Sequence, residues 1–221
     1  MIKGAIFDLD GTLLDSMHIW STMGEKYIRT LGIEPAADIN ERFRNLTLYE
    51  AACFYRDEYK VRLSIKEIMD GINKEAENYY FNSVPAKEGI DHLLDLLDKA
   101  GVKMCVATAT DRYQVEAALK RTGLDKFFLD IFTCTQVGSG KDKPFIYRRA
   151  SEFLKTNKSE TVVFEDSPMA LRTAKNDGYI TVGIFDKHTS DQSALKKMSD
   201  YYLKNYSNAA GFVKKIMEET I

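Results

Sequence analysis

Short apolar runs rich in β-branched residues alternate with helical patterns along most of the chain. Five of these runs predict buried strands, and they cover residues 2–7, 102–108, 129–134, 161–165 and 180–184. Strands of this length that alternate with helices are typical of an α/β protein with a Rossmann-like parallel sheet and helices on both faces. In such a protein, ligands bind beyond the carboxyl ends of the strands.

The helices between these strands have recognisable ends. Gly101 and Gly123 each follow an amphipathic pattern directly, and glycine commonly ends a helix. Ser167 and Pro168 suit the start of a third helix, because serine caps helices and proline fits the first helical turn. These signals support the alternation of strand and helix in this part of the chain.

Residues 16–83 break the alternation, because they contain only helical patterns. Ser64 and Glu67 form a capping-box signature. The apolar stripe that follows it comprises Ile68, Met69, Ile72, Ala76 and Tyr79. We therefore expect an inserted all-α cap domain of residues 16–83 and a core domain of residues 1–15 and 84–221. The aromatic residues expected in a small core of the cap are Phe43, Tyr49, Phe54, Tyr55 and Tyr59.

The composition argues against several classes of partner. The 221 residues include 31 lysines and arginines against 33 acidic residues, a net charge of -2, so no basic surplus favours nucleic acid or an anionic membrane. No apolar run approaches the length of a membrane span and no signal-peptide pattern precedes the first strand, so we expect a cytoplasmic protein. No heptad repeat indicates an oligomer, and a monomer is compatible with the sequence.

Cysteine and histidine form no metal-binding pattern. Cys53, Cys105 and Cys134 lack Cys-x-x-Cys spacing and lie among apolar residues, so we expect buried, reduced thiols. The three histidines are scattered along the chain at positions 18, 92 and 188.

Two carboxylates end the first strand. Side chains alternate along a strand, so Asp8 and Asp10 point to the same side while Leu9 packs inward. Two converging negative charges are tolerated when a cation lies between them or when one carboxyl is protonated. Metal binding and acid catalysis both meet this condition, whereas a solvated junction with Gly11 in a turn is the structural alternative.

Further polar groups follow the later strands. Thr108 and Thr110 follow the second strand, where hydroxyls and the amides of the next helix would bind phosphate oxygens, although threonine is also a common strand residue. A glycine-rich loop carries Lys141 and Lys143, and a fixed ammonium group there suits a transferring phosphoryl group. A solvated basic loop is the alternative for these lysines.

The fourth predicted strand ends in a further pair of acids, Glu165 and Asp166. With this pair, the chain resembles the haloacid dehalogenase superfamily of phosphotransferases. Residues 7–12 match its first motif, Thr108 the second, Lys141 the third and residues 165–167 the fourth, in the same order and at the same strand ends. The resemblance covers essentially the whole chain, and the cap places it near the branch of beta-phosphoglucomutase and phosphoglycolate phosphatase.

The sequence pattern leaves two candidate threonines and two candidate lysines, and the resemblance favours one residue of each pair. Thr108 is preferred to Thr110 because it is the first hydroxyl after the apolar strand. Lys141 is preferred to Lys143 because the family's lysine lies one turn further from the next helix.

The resemblance implies an enzyme that transfers a phosphoryl group to its own carboxylate. Asp8 would be the nucleophile and Asp10 first the acid and then the base, with Thr108 and Lys141 as further catalytic residues. The implied Mg²⁺ ligands are Asp8, the backbone carbonyl of Asp10 and Asp166, with Glu165 acting through water. The candidate substrate-binding residues are Thr12, Ala109, His18, Trp20 and Arg44.

Charge balance within the site that the resemblance implies also requires a cation. Four carboxylates oppose the single ammonium group of Lys141, and a phosphate substrate is itself an anion. A divalent cation together with a protonated Asp10 brings the sum of these charges to zero. Oxygen donors without nearby histidine or cysteine favour Mg²⁺ over Zn²⁺.

The predicted function is a Mg²⁺-dependent phosphatase that hydrolyses a small, sugar phosphate-like monoester through an aspartyl-phosphate. A hexose-phosphate mutase of the beta-phosphoglucomutase type is the nearest alternative. The dehalogenase branch lacks the second carboxylate, whereas Asp10 is present here, and no cap lysine can be assigned to the Schiff base of a phosphonatase. A ligand-sensing protein without catalysis would be favoured if Asp8, Asp10 or Asp166 were replaced, and none is.

One position separates the phosphatase from the mutase prediction. Beta-phosphoglucomutases of this type carry a histidine in the first helix after the opening motif, and the corresponding position here is Trp20. His18 lies two residues earlier, which on a helix is nearly the opposite face. We therefore expect water to reach the phosphorylated Asp8.

Overall fold

The computed structural model describes residues 1–43, 46, 48–189 and 191–218. The chain forms two compact units, of which the first comprises Met1–Asp15 and Pro85–Ile221 and the second Ser16–Val84. The second unit thus ends one residue later than the boundary expected from the sequence. Within the described ranges, every helix is too short or too polar to cross a bilayer.

The first unit contains a parallel sheet. In chain order its strands are β1 (Gly4–Phe7), β2 (Lys103–Thr108), β3 (Ile131–Thr133), β4 (Thr161–Glu165), β5 (Ile180–Ile184) and β6 (Tyr201–Leu203). Among the described residues they pair in the order β3-β2-β1-β4-β5-β6, and every neighbouring pair is parallel. The Rossmann-like α/β prediction is confirmed, and β6 is an additional edge strand.

The helices are numbered in chain order. Those of the second unit are α1 (Met17–Thr30), α2 (Ile39–Phe43), α3 (Leu48–Glu58) and α4 (Ile65–Asn82). Those of the first unit are α5 (Ile90–Lys99), α6 (Arg112–Thr122), α7 (Cys134–Val137), α8 (Phe145–Leu154), α9 (Pro168–Asn176), α10 (Gln192–Met198) and α11 (Ala209–Glu218).

Alternation along the central strands gives each face of the sheet its own helices. Ile6 of β1 and Val163 of β4 lie in one buried cluster with residues of α8 and α9. Phe7 faces the other way and stacks on Phe164 with 4.2 Å between ring centroids, and Phe164 in turn contacts Phe212 of α11. The sheet is therefore buried on both faces, as parallel sheets usually are.

The strand order brings the carboxyl ends of β1 and β4 together. The connections from β1 lead to β2 and β3 on one side, and the chain then crosses to β4 on the other side. The amide of Asp8 donates to the carbonyl of Phe164 at 3.0 Å, so the ladder continues just beyond the end of β1. A reversal of strand order of this kind opens a crevice where α/β proteins bind ligands.

The second unit is a small helical domain with its own core. The predicted capping box is present, because the amide of Ser64 donates to Glu67 Oε2 at 2.7 Å and the amide of Glu67 donates to Ser64 Oγ at 3.2 Å. The buried stripe of α4 runs through Ile68, Ile72, Ala76 and Tyr80. The predictions of Met69 and Tyr79 in this stripe are wrong, because both are only half-buried and steps of four residues from Ile68 lead to Tyr80.

The aromatic core of the second unit centres on Tyr55. This residue is fully buried and contacts Tyr27 and Phe43, with ring centroids 5.2 and 4.7 Å away. Tyr49 is 60% exposed, so its predicted place in the core is wrong. The buried face of α3 is formed instead by Ala51, Ala52 and Tyr55.

The three cysteines are free thiols. Cys105 is buried as expected, whereas Cys53 and Cys134 are only half-buried. Burial raises the pKa of the Cys105 thiol, which keeps this side chain protonated and inert.

Candidate active site

A tight turn directly after β1 places the two aspartates. Gly11 adopts a positive φ of 78°, a conformation that glycine adopts without a steric penalty. The amides of Leu13 and Leu14 both donate to the carbonyl of Leu9 at 2.9 Å. The amide of Gly11 donates to the carbonyl of Leu14 at 3.0 Å. These hydrogen bonds fix the backbone that carries Asp10 relative to the end of β1.

Lys141 joins the carboxylates of two neighbouring strands. Its ammonium group donates to Asp8 Oδ1 and, at 2.7 Å, to Glu165 Oε1. The three side chains are buried, with 7% or 8% exposure for Lys141 and Asp8 and 1% for Glu165. Lys143, the other lysine of this loop, is exposed.

The end of β4 supplies the other two acids. Glu165 Oε2 accepts hydrogen bonds from the amides of Asp166 at 3.0 Å and Ser167 at 3.3 Å. Its Oε1 lies 3.4 Å from the hydroxyl of Tyr147, which donates to it. Asp166 accepts a hydrogen bond from the hydroxyl of Thr189.

Three buried carboxylates converge closely enough to hold one cation. Asp8, Glu165 and Asp166 each offer an oxygen, and these oxygens all lie within 4.8 Å of one another. The cluster carries three acids against one ammonium group, and it consists of oxygen donors alone. This donor set fits a hard divalent cation.

The protonation equilibria of the cluster reflect its unbalanced charge. Burial, and next the charge of Glu165, raise the pKa of Asp8 well above its usual range. The same two causes raise the pKa of Asp166 to about 8. Burial opposes the charge on Lys141, but the carboxylates of Asp8 and Glu165 hold its pKa well above the usual value. A bound cation would favour the ionised carboxylates.

A second group of side chains surrounds Asp10. The hydroxyl of Thr110 donates to Asp10 Oδ2 at 2.6 Å. The amide of Thr110 donates to Thr108 Oγ1 at 3.0 Å, and both threonines are buried. Ala109 lies between them and is exposed. Thr108 and Thr110 therefore have different surroundings, and it is Thr110 that orients the Asp10 carboxylate.

The remaining candidate residues lie in different places. Thr12 is fully buried, and its carbonyl accepts a hydrogen bond of 2.8 Å from the hydroxyl of Tyr206. His18 is exposed on α1, and Trp20 on the same helix is half-buried and donates to the hydroxyl of Tyr80 at 3.1 Å. Arg44 lies outside the described residues.

Sequence reasoning missed two contacts of the site. Thr189 lies 23 residues after Asp166, in a short polar segment with no periodicity that would connect the two. Tyr147 reads as an apolar position of α8, and only its hydroxyl reaches Glu165. The sequence offers Thr110 only as the alternative to Thr108, and its contact with Asp10 depends on the path of the loop after β2.

Known proteins of similar sequence cover most of this chain. The family model of haloacid dehalogenase-like hydrolases matches residues 5–184. A phosphorylated carbohydrates phosphatase of Thermotoga maritima is 24% identical over 80% of this chain and 82% of its own length. A validoxylamine A 7'-phosphate phosphatase of Streptomyces hygroscopicus is 28% identical over 93% of this chain and 94% of its own length.

A solved structure shows the same fold. CbbY of Rhodobacter sphaeroides, crystallised in complex with phosphate, superposes with a TM-score of 0.80. It is 24% identical, and the superposition covers 94% of this chain and 96% of that one.

Proposed function

This chain belongs to the haloacid dehalogenase-like hydrolases, and from that premise we propose that it is a Mg²⁺-dependent phosphatase of a small phosphorylated carbohydrate. The observation that carries the proposal is the contact of Lys141 with both Asp8 and Glu165, beside Asp166. It supports the proposal because a carboxylate, a buried ammonium group and further oxygen donors lie together at the carboxyl ends of β1 and β4.

Mg²⁺ would be held by the carboxylates of Asp8 and Asp166 and by the backbone carbonyl of Asp10, with Glu165 acting through water. When bound, the cation supplies positive charge that lets a phosphate group approach the acidic cluster. Lys141 contributes the remaining positive charge.

Asp8 begins the reaction as the nucleophile. One of its carboxylate oxygens attacks the phosphorus, the bond from phosphorus to the ester oxygen breaks, and an aspartyl-phosphate forms. The buried hydrogen bond from Lys141 holds this carboxylate in one orientation, which reduces the entropic cost of an in-line transfer. Thr108 and the amide of Ala109 are proposed to bind the phosphate oxygens.

Asp10 serves both halves of the reaction. In its protonated form it gives a proton to the leaving ester oxygen, and as a carboxylate it then takes a proton from the water that attacks the aspartyl-phosphate. The hydrogen bond of 2.6 Å from Thr110 orients this side chain for both transfers. The second step releases inorganic phosphate and restores Asp8.

The substrate class rests on the relatives. One is named for phosphorylated carbohydrates and the other for the 7'-phosphate of validoxylamine A. The mutase alternative is less supported, because both relatives are named phosphatases. Within the helical unit of residues 16–84, His18, Trp20 and Arg44 are the proposed specificity residues.

A substrate screen tests the proposal. Purified protein with Mg²⁺ is incubated with sugar monophosphates, phosphoglycolate and nucleotides, and the released phosphate is measured. We expect the sugar monophosphates to be hydrolysed fastest. Phosphate release no faster than that of the Asp8→Asn variant with every compound would reject the phosphatase assignment.

A coupled assay separates the phosphatase from the mutase. Conversion of glucose 1-phosphate to glucose 6-phosphate is measured beside phosphate release from the same sample. We expect phosphate release without any need for a bisphosphate primer. Isomerisation that outpaces phosphate release would favour the mutase.

A further inference from the structure

A turn that follows β5 is held by a partly buried ion pair. Lys87, in the segment before α5, donates through its ammonium group to Asp186 Oδ2 at 2.8 Å and to the carbonyl of Phe185 at 3.0 Å. The side chain of Asp186 is 2% exposed and that of Lys87 is 15% exposed. The pair therefore ties two segments that are 99 residues apart in the sequence.

Asp186 also closes the turn itself. Its Oδ1 accepts a hydrogen bond from the amide of His188 at 2.9 Å. Its carbonyl accepts from the amide of Thr189 at 3.2 Å and from the side chain of Gln192 at 2.8 Å. One residue thus binds Lys87 with one carboxylate oxygen and shapes residues 186–189 with its remaining acceptors.

The far end of this turn reaches the candidate metal cluster. The hydroxyl of Thr189 donates to Asp166 Oδ2, and Asp166 is 4% exposed beside Asp8 and Glu165. A carboxylate has acceptor capacity on both oxygens, so this hydrogen bond leaves the other oxygen for a cation. Hydrogen bonds to a ligating carboxylate fix its orientation and strengthen metal binding.

We propose that Lys87, Asp186 and Thr189 act in series as positioning residues for Asp166. The ion pair fixes the turn, the turn sets the Thr189 hydroxyl, and the hydroxyl orients Asp166 toward Mg²⁺. The inference rests on the proposed function only in taking Asp166 as a ligand of the cation. Ion pairs of low solvent exposure add little net stability compared with apolar packing, and the role assigned to this pair is to fix the geometry of the turn.

The Thr189 hydroxyl is tested by calorimetric titration of Mg²⁺ into the protein without substrate. Thr189→Val keeps the side-chain size, and we expect Mg²⁺ to bind about 10-fold more weakly with the thermal midpoint of the metal-free protein unchanged. Thr189→Ser restores the hydroxyl and is expected to return most of the affinity. The matched control is Lys187→Met, an exposed lysine of the same turn, for which we expect wild-type affinity.

The ion pair is tested by replacing both partners together. Lys87→Met with Asp186→Asn removes one charge of each sign, so the net charge near the cluster is conserved and asparagine keeps an acceptor for His188. We expect weaker Mg²⁺ binding in this double variant. Adding Thr189→Val to it should weaken binding no further than Thr189→Val alone, because the three residues act in series.

Different results would overturn the positioning proposal and the phosphatase assignment. Unchanged Mg²⁺ affinity in Thr189→Val, with or without a lower thermal midpoint, would overturn the proposal, and so would losses that simply add in the triple variant. A wild-type protein that binds no Mg²⁺ would also overturn it. Weaker Mg²⁺ binding by Thr189→Val in a protein that releases no phosphate would leave the positioning role standing and reject the phosphatase alone.

Discussion

Lys141 places one ammonium group between carboxylates that come from two different strands. It donates to Asp8, next to the end of β1, and to Glu165, the last residue of β4. Because both contacts are buried, loss of either acid would leave the ammonium group with less compensation. Lys141 therefore couples the position of the proposed nucleophile to that of the acidic end of β4, where the proposed metal ligand Asp166 lies.

Replacing the nucleophile should abolish turnover and spare the fold. Asp8→Asn is nearly isosteric and keeps an oxygen that can accept from Lys141, but it removes the attacking carboxylate and one metal ligand. We expect the rate of phosphate release to fall by at least ~10³-fold. The assay measures the initial rate of phosphate release from sugar monophosphates. The circular dichroism spectrum should match the wild type. Substantial phosphate release by the variant in the presence of Mg²⁺ would place the nucleophile elsewhere.

Replacing Asp10 should separate catalysis from metal binding. Asp10→Asn removes the proton carrier but keeps the backbone carbonyl that is proposed to bind Mg²⁺. We expect the rate to fall by about 10²–10⁴-fold, the range of general acid–base catalysis, and the Mg²⁺ concentration for half-maximal rate to stay close to the wild-type value. If that concentration rises as steeply as the rate falls, the side chain itself is a ligand.

The sequence predicts the residues at the strand ends better than their partners. Asp8, Glu165 and Asp166 follow directly from apolar runs, because the carboxyl ends of neighbouring parallel strands share one edge of the sheet. The hydrogen bond from Thr189 to Asp166 depends on the path of an irregular turn, for which residue types alone supply no rule. The choice between Thr108 and Thr110 likewise needs the geometry of the loop after β2.

At the scale of elements, the turn after β1 controls where Asp10 lies. Its hydrogen bonds run between Leu9, Gly11, Leu13 and Leu14, and Gly11 is in the left-handed region at φ 78°. A residue with a Cβ atom in this region is strained by about 1–2 kcal/mol. The strain would be released by distorting the segment that carries Asp10.

Gly11→Ala should therefore reduce both stability and activity. We expect the free energy of unfolding to fall by about 1–2 kcal/mol and phosphate release to fall as well, measured by chemical denaturation and by initial rates. The matched control is Gly123→Ala at the end of α6, where φ is 71° and no atom outside the adjoining backbone lies within 4 Å of the added Cβ. The control should lose similar stability and keep its rate; an equal loss of rate in both variants would show that strain alone accounts for it.

Elements were predictable where their pattern was long or buried. Apolar runs predicted five of the strands, and the capping box marked the start of α4. The edge strand β6 has only one buried residue of three, so no buried apolar run marks it, whereas the equally short β3 has two. The sequence pattern favours Tyr79 where the structure buries Tyr80, because two adjacent tyrosines fit the helical pattern almost equally well.

At the scale of the whole molecule, the fold class followed from the alternation of strands and helices, but the strand order did not. Alternation is compatible with several orders of parallel strands, and the observed order depends on crossover connections that sequence patterns do not encode. That order puts β1 between β2 and β4. It thereby gathers groups from residues 8 to 189 into one site that exists only in the folded chain.

A site assembled in this way should couple Mg²⁺ binding to global stability. Because the unfolded chain cannot bring Asp8, Glu165 and Asp166 together, Mg²⁺ at 100 times its dissociation constant should add about 2.7 kcal/mol to the free energy of unfolding. In a chain of this size, that corresponds to a rise of roughly 5–10 °C in the thermal midpoint. A chelator should reverse the rise and silence phosphate release, and excess Mg²⁺ should restore both. Asp166→Ala should lose most of the Mg²⁺-dependent rise, whereas Gly123→Ala should keep it. Full activity in excess chelator would show that the acidic cluster works without a divalent cation and would remove the charge argument on which the mechanism depends.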